Sequence, residues 1–197
     1  MLSATDQSLL AFLEGPPVCA LVGTEFAKEP VTRLPLYQRV AQWYRENNYT
    51  LVTVSQIGPV KLDARAVTRS LYHGLSHLKG VAFAAVPHVL LHGRIIHKEP
   101  LIGSKDGCVY YVAAPVTIAT GGYIVVVMVK KDQGLARMYL HSVITKEKLR
   151  YSAYPSGVST AVDEQQEAHD THSAETGAVW TLLTCLYSVN PEAQPHS

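Results

Sequence analysis

"GCVYYVAAPVTIATGGYIVVVMVKKDQGLARMYLHSVITK", residues 107–146, is the stretch that decides the fold. It holds three strand-like runs, near 108–118, 122–131 and 137–145, rich in β-branched and aromatic residues. "ATGG" and "KDQG" separate them, and connections this short make antiparallel neighbours. In the third run a period of two puts Arg137, Tyr139 and His141 on one face and Met138, Leu140 and Ser142 on the other. Such a strand has a core side and a wet side.

Upstream of this meander the period is mostly helical. Ser3 or Thr5 can cap a first helix that runs through Glu14 and stops at Gly15. "PPVCALVG" reads as a short buried strand. "LPLYQRVAQWYREN", 34–47, places Leu36, Val40, Trp43 and Tyr44 at helical spacing. "YTLVTVSQIGPVKLD", 49–63, is a hairpin signal, and Asp63 can cap a helix through about Leu75. "LKGVAFAAVPHVLLHGRII" begins as a helix that Pro87 must break or restart, and Gly93 ends it. "RIIH" adds an edge strand. The predicted class is α+β: N-terminal helices followed by an antiparallel sheet of three to four strands, with a C-terminal helix in "TGAVWTLLTCLYSVN", 176–190. The expected organisation is an N-terminal helical and strand extension at 1–56, an α+β core at 57–150, an acidic polar linker at 151–175, and a C-terminal helix and tail at 176–197.

Composition narrows the function classes. The formal net charge of +1 hides an asymmetry. Residues 60–150 carry thirteen Lys/Arg against five Asp/Glu, whereas residues 151–197 carry six acids and no Lys or Arg. The centre reads as a binder of anions, and the tail as its electrostatic opposite, either mobile or lying across the basic segment as a cover. No run approaches the ~18 apolar residues of a membrane span, and "MLSATDQSLLAFLEG" reads as an amphipathic helix rather than a signal peptide. Cys19, Cys108 and Cys185 are odd in number and widely spaced, with no CxxC, which points to a reducing compartment. GxGxxG, P-loop, GxSxG and HExxH patterns are all absent.

"SLYHGLSHLK", 70–79, carries the densest polar chemistry: Ser70, Tyr72, His73, His77 and Lys79. Two histidines and a cation are sufficient for metal-free RNA cleavage. One imidazole takes the proton of the ribose 2′-hydroxyl, the other protonates the leaving 5′-oxygen, and Lys or Arg stabilises the phosphate. His73 and His141 are the candidate pair. The bland alternative makes His73 a helix C-terminal residue favoured by the dipole and His141 an ordinary sheet residue. The i,i+4 pairs His73/His77 and His88/His92 keep a metal reading open, although Gly74 and Pro87 interrupt their setting.

The segments "IGPVKLDARAVTRSLYHGLSHLKGVAFAAVPHVLLHGRII" and "YYVAAPVTIATGGYIVVVMVKKDQGLARMYLHSV" resemble the C-terminal domain of phage MuF-type head-morphogenesis and large polyvalent phage proteins. That domain is similar to the barnase–EndoU–colicin–RelE group of RNase toxins. The resemblance covers roughly residues 57–148, and its motifs are the Ser-Leu-x-His-Gly helix, "AFAAVP", "GRII", "AAPV" and a closing "YLHSV". Ser142 departs from it, standing where the pattern has an acidic residue.

The resemblance implies a nuclease-like core at 57–150 and polar family positions at Ser70, His73, Lys79, Tyr139 and His141. The expected function is therefore a metal-independent endoribonuclease toxin domain of phage or mobile-element origin. His73 and His141 would be the acid–base pair and Lys79 the phosphate stabiliser, with Ser70, Arg137 and Tyr139 binding substrate. The expectation includes no metal and no cofactor. The partners would be RNA, tRNA among the candidates, and an immunity or inhibitor protein, with no membrane partner. The expected location is the host cytoplasm, reached with a phage particle or a secretion system. The alternative is a non-enzymatic, virion-associated binding module that keeps the nuclease-like fold.

Overall fold

The computed structural model describes residues 3–26, 34–71, 76–133 and 136–153, together with Thr181. The 107–146 stretch forms three long strands, β5 (Cys108–Ile118), β6 (Gly121–Lys131) and β7 (Ala136–Thr145). They pair antiparallel in chain order, with Ile118 opposite Gly121 at the first turn and Lys130 opposite Arg137 near the second. The turn into β6 needs a left-handed residue, which Ala119 supplies at φ 52°.

These strands are the middle of a larger sheet. Before them come α1 (Ala4–Glu14), β1 (Cys19–Leu21), α2 (Leu36–Glu46), β2 (Leu51–Val54), β3 (Gly58–Lys61), α3 (Ala64–Leu71), α4 (His77–Ala82), α5 (Val86–His92) and β4 (Arg94–Pro100). The order across the sheet is β1-β5-β6-β7-β3-β2, and β4 also pairs with β5. The expectation of three to four antiparallel strands is therefore wrong. Among the described residues the sheet has seven strands and is mixed, because β1–β5 and β3–β7 run parallel. Short turns predict the hairpins. They carry no information on parallel pairs, which join segments far apart in the chain. The strands of the 1–56 segment, β1 and β2, lie at the two ends of the same sheet as the strands of 57–150. After β7 comes α6 (Lys146–Ala153), the last described helix with bounds. The C-terminal helix expected at 176–190 lies outside the described residues, Thr181 apart, as does the acidic linker beyond Ala153.

Helices cover both faces. On the first face, Val40 and Tyr44 of α2, Ala66 and Val67 of α3, Val81 of α4 and Val89 of α5 pack on Val125, Val127 and Val129 of β6 and on Met138 and Leu140 of β7. On the second face, Leu10 and Leu13 of α1 and Leu149 of α6 pack on Ala113, Ile124, Val126 and Ile144. A strand buried on both faces needs an unbroken apolar run, and "YIVVVMV" is one. Local signals fix the helix ends. Ser3 accepts the Asp6 N–H, Asp63 accepts the Ala66 N–H, and Ser76 accepts the Lys79 N–H. Pro87 falls in the first turn of α5, where a missing N–H costs nothing. A Cβ on Gly93 would strike the Val89 carbonyl oxygen and stand 2.9 Å from that of Ala113, so only glycine fits between α5 and the sheet.

Candidate functional site

β7 carries the decisive irregularity. Val126 is opposite Ser142 and Val127 opposite Leu140, so His141 is an extra residue with no register partner. This β-bulge reverses the alternation beyond it. Met138 and Leu140 belong to the first core, but Val143 also packs on that core and Ile144 on the second. Ser142 thus shares the second face with His141, and the two side chains are 3.3 Å apart, His141 Nδ1 to Ser142 Oγ. A strict period of two had put them on opposite faces.

The edge of β7 is closed by a helix. β3 pairs with β7 only at Ala136 and Arg137. Beyond that, α3 packs beside the strand, and Ser70 accepts the Leu140 N–H at 2.9 Å while donating to the Ala66 carbonyl at 2.9 Å. One turn position away, Arg69 reaches the Tyr139 hydroxyl at 3.3 Å.

β4 has a second bulge. Ile95 is opposite Val112 and His97 opposite Tyr111, which leaves Ile96 extra and packed in the second core. The effect is to put His97 on the second face as well. Tyr111 lies between the two histidines. Its ring is 5.7 Å from that of His97 and 5.4 Å, edge-on, from that of His141. The Tyr111 hydroxyl donates to Glu99 Oε1 at 2.8 Å, and Glu99 Oε2 lies 3.7 Å from His97 Nε2. Burial, then the bond to Glu99 and its charge, hold that hydroxyl protonated far above the ordinary tyrosine range.

Next to this cluster is a row of cations. Lys130 is opposite Arg137 across β6–β7, and Arg137 is beside Lys61 across β7–β3. Cross-strand partners share a face, at strand spacings of about 5 Å. Three positive charges therefore stand side by side. Among the described residues Lys61 alone of the three has an acidic partner within ion-pair distance, Asp63 at 3.3 Å. Lys130 also lies over the Tyr139 ring, 5.5 Å from its centre. Like charges placed this way repel one another, and a bound polyanion relieves that repulsion.

Of the residues singled out from sequence, Arg137, Tyr139 and His141 meet on this face. Ser70 does not. It is 1% exposed and its hydroxyl is spent on Ala66 and Leu140, so it is an internal strut and not a substrate ligand. Lys79 lies on α4, buried to 8% exposure, and its ammonium forms no hydrogen bond or ion pair with another described residue. Burial lowers its pKa to about 8. His73 lies outside the described residues. Sequence reasoning missed His97, Glu99, Tyr111, Arg69, Lys61 and Lys130. A usable signal existed for two of them: His97 and Glu99 are two apart in a strand, hence on one face.

The other features lie elsewhere. A groove of about 550 Å³ is lined by Glu25, Phe26, Arg39, Ser76 and His77, and another of about 480 Å³ by Gln38, Arg45, Lys61 and Asp63. Neither is lined by His97 or His141. Among the described residues no three His, Cys, Asp or Glu side chains converge to hold a metal ion. The His88 imidazole is pushed down in pKa by burial and by the neighbouring His92. No described helix is long and apolar enough to cross a membrane. No family model, no curated protein and no solved structure matches the chain.

Proposed function

We propose that this protein binds RNA on the second face of its sheet and cleaves it without a metal, His141 serving one of the two proton transfers. The observation that carries the reading is a histidine lifted onto a bulge, on the same face as three cations aligned across β6, β7 and β3. Phosphates would lie along Lys130, Arg137 and Lys61, since cations in a row bind a polyanion through its backbone charge. Arg69 lies beside them, held at the Tyr139 hydroxyl. His141 is half-buried beside Ser142 and Tyr111, a setting that fixes its ring. Imidazole titrates near neutrality, so it serves as acid or base. The resemblance to the RNase toxin group supports the same chemistry, and it assigns the other proton transfer to His73.

The test is direct. The purified protein is incubated with total RNA and with tRNA, with and without EDTA, and the product ends are analysed. Attack by the 2′-hydroxyl leaves a 2′,3′-cyclic phosphate and a 5′-hydroxyl, unaffected by EDTA. His141→Ala should lower the rate by about 10²–10⁴-fold. Cleavage that stops with EDTA, or that survives His141→Ala unchanged, overturns the mechanism.

One observation favours a second reading, a binding module without catalysis. Tyr111 and Tyr139 are each less than a tenth exposed, and their hydroxyls are engaged by Glu99 and Arg69. That is how a polar network looks when it serves packing alone. RNA retained on the protein but never cut would establish that reading.

A further inference from the structure

We propose that His97, positioned by Glu99, is the second proton-transfer group of this face and acts across Tyr111 from His141. The inference rests on the RNA-cleavage reading and changes its machinery, since it gives the second proton transfer to His97 in place of His73.

Among the described residues the strand ladders break register at Ile96 and at His141, on the two strands that flank the β5–β6 hairpin. Each break turns a histidine onto the second face. Without the β4 bulge, His97 would follow the parity of Ile95 and face the helices of the first core. Bulges recur where a strand must re-aim a side chain next to a site, and here two of them aim at one tyrosine, with ring separations of 5.7 and 5.4 Å.

His97 also has a carboxylate beside a ring nitrogen. Glu99 Oε2 stands 3.7 Å from His97 Nε2, and the Tyr111 hydroxyl fixes the same carboxylate by donating to Oε1 at 2.8 Å. At that separation Glu99 is an ion-pair partner for the protonated ring, and Tyr111 fixes the carboxylate in that position. The His97 side chain is 10% exposed, enough for a reacting atom to reach it while bulk water is largely kept away. Glu99 and Tyr111 are positioning residues in this scheme.

The step balances with two imidazoles and no other reagent. The 2′-oxygen attacks phosphorus, and its proton passes to one histidine. The bond from phosphorus to the 5′-oxygen breaks, and that oxygen takes a proton from the other histidine. A 2′,3′-cyclic phosphate and a 5′-hydroxyl result.

The experiment is a pH–rate profile on RNA for the wild type and for His97→Ala, His97→Gln, Glu99→Gln and His73→Ala, each first shown by circular dichroism to be folded. His97→Ala and His97→Gln should lose about 10²–10⁴-fold in kcat with little change in KM, and one limb of the bell should vanish. The limb that vanishes identifies His97 as the acid or the base. Added imidazole should restore cleavage to His97→Ala, a rescue that a merely structural residue does not show. Glu99→Gln should displace the same limb, and His73→Ala should keep both. A His97 variant with wild-type rate and an intact bell overturns the inference and leaves RNA cleavage by His141 standing. Loss of activity without imidazole rescue, in a folded variant, assigns His97 a structural role and also overturns it. A wild-type protein that cleaves no RNA overturns the inference and the RNA-cleavage reading together.

Discussion

Replacing Ser70 with alanine tests the edge of β7, and its cost follows from the hydrogen bonds it removes. The hydroxyl is 1% exposed and accepts the Leu140 N–H at 2.9 Å. In Ser70→Ala that N–H has no strand to turn to, because β3 has already left β7 at Arg137. A buried donor left unsatisfied costs about 1–3 kcal/mol. Two smaller effects oppose it. The back-bond to the Ala66 carbonyl adds little to a helix, and alanine is the better helix former by roughly 0.5 kcal/mol. The net loss should be about 0.5–2.5 kcal/mol. For a chain of this size 1 kcal/mol moves the melting temperature by about 2–4 °C, so Tm should fall by about 1–10 °C. Urea unfolding should show a lower midpoint at an unchanged slope. Amide exchange should quicken at Leu140, the residue next to the bulge, more than along β5. A variant within about 0.5 kcal/mol of wild type, the ordinary range for an uninvolved surface site, with Leu140 protection unchanged, would refute the idea that a helix hydroxyl stands in for the missing strand.

Gly93→Ala should destabilise by more than about 2 kcal/mol in urea unfolding, because the new methyl meets the backbone oxygens of Val89 and Ala113, which cannot turn aside. Lys79→Met should stabilise the protein at pH 7. The folded state holds this lysine at about 8 against an ordinary 10.5, so it has released a proton that the unfolded chain keeps between those values. Stability from this group therefore rises with pH from 8 to 10.5, and the full penalty, on the order of 2–3 kcal/mol, applies below pH 8. The difference between wild type and Lys79→Met across pH 7–10 should shrink as pH rises, and a flat difference would count against it. Arg137→Gln, in the middle of the cation row, should weaken RNA binding and make the slope of log affinity on log salt shallower by about 1. An unchanged slope would mean that the row does not meet phosphate.

What local chemistry dictates, the sequence displays. The bounds of β5, β6 and β7 are legible because their turns are short and their runs long, and α1 is legible from Ser3 and Gly15. The β2–β3 hairpin is legible for the same reason. The parallel pairs are not, since β1 is three residues long and meets β5 only through tertiary packing. The site suffers most from the bulges. Alternation places Ser142 with the core residues Met138 and Leu140, and one extra residue at His141 moves it to the other face. His97 is hidden by the same device at Ile96. Ser70 was readable as buried, because Ala66, Val67 and Ser70 share one helix face. Its hydroxyl invites a functional reading only until its two bonds are seen.

The parallel register of β1 has a consequence for synthesis. Cys19 lies beside Val116, 97 residues later in the chain. At about 5–20 residues per second, β1 leaves the ribosome roughly 5–20 s before its partner strand exists. During that interval α1 and β1 lack the β5 strand they pack on, and the apolar face of α2 lacks β6 and β7. Residues 4–46 are thus a segment that holding chaperones would meet in that interval. A ribosome stalled near residue 107 would present it to them indefinitely.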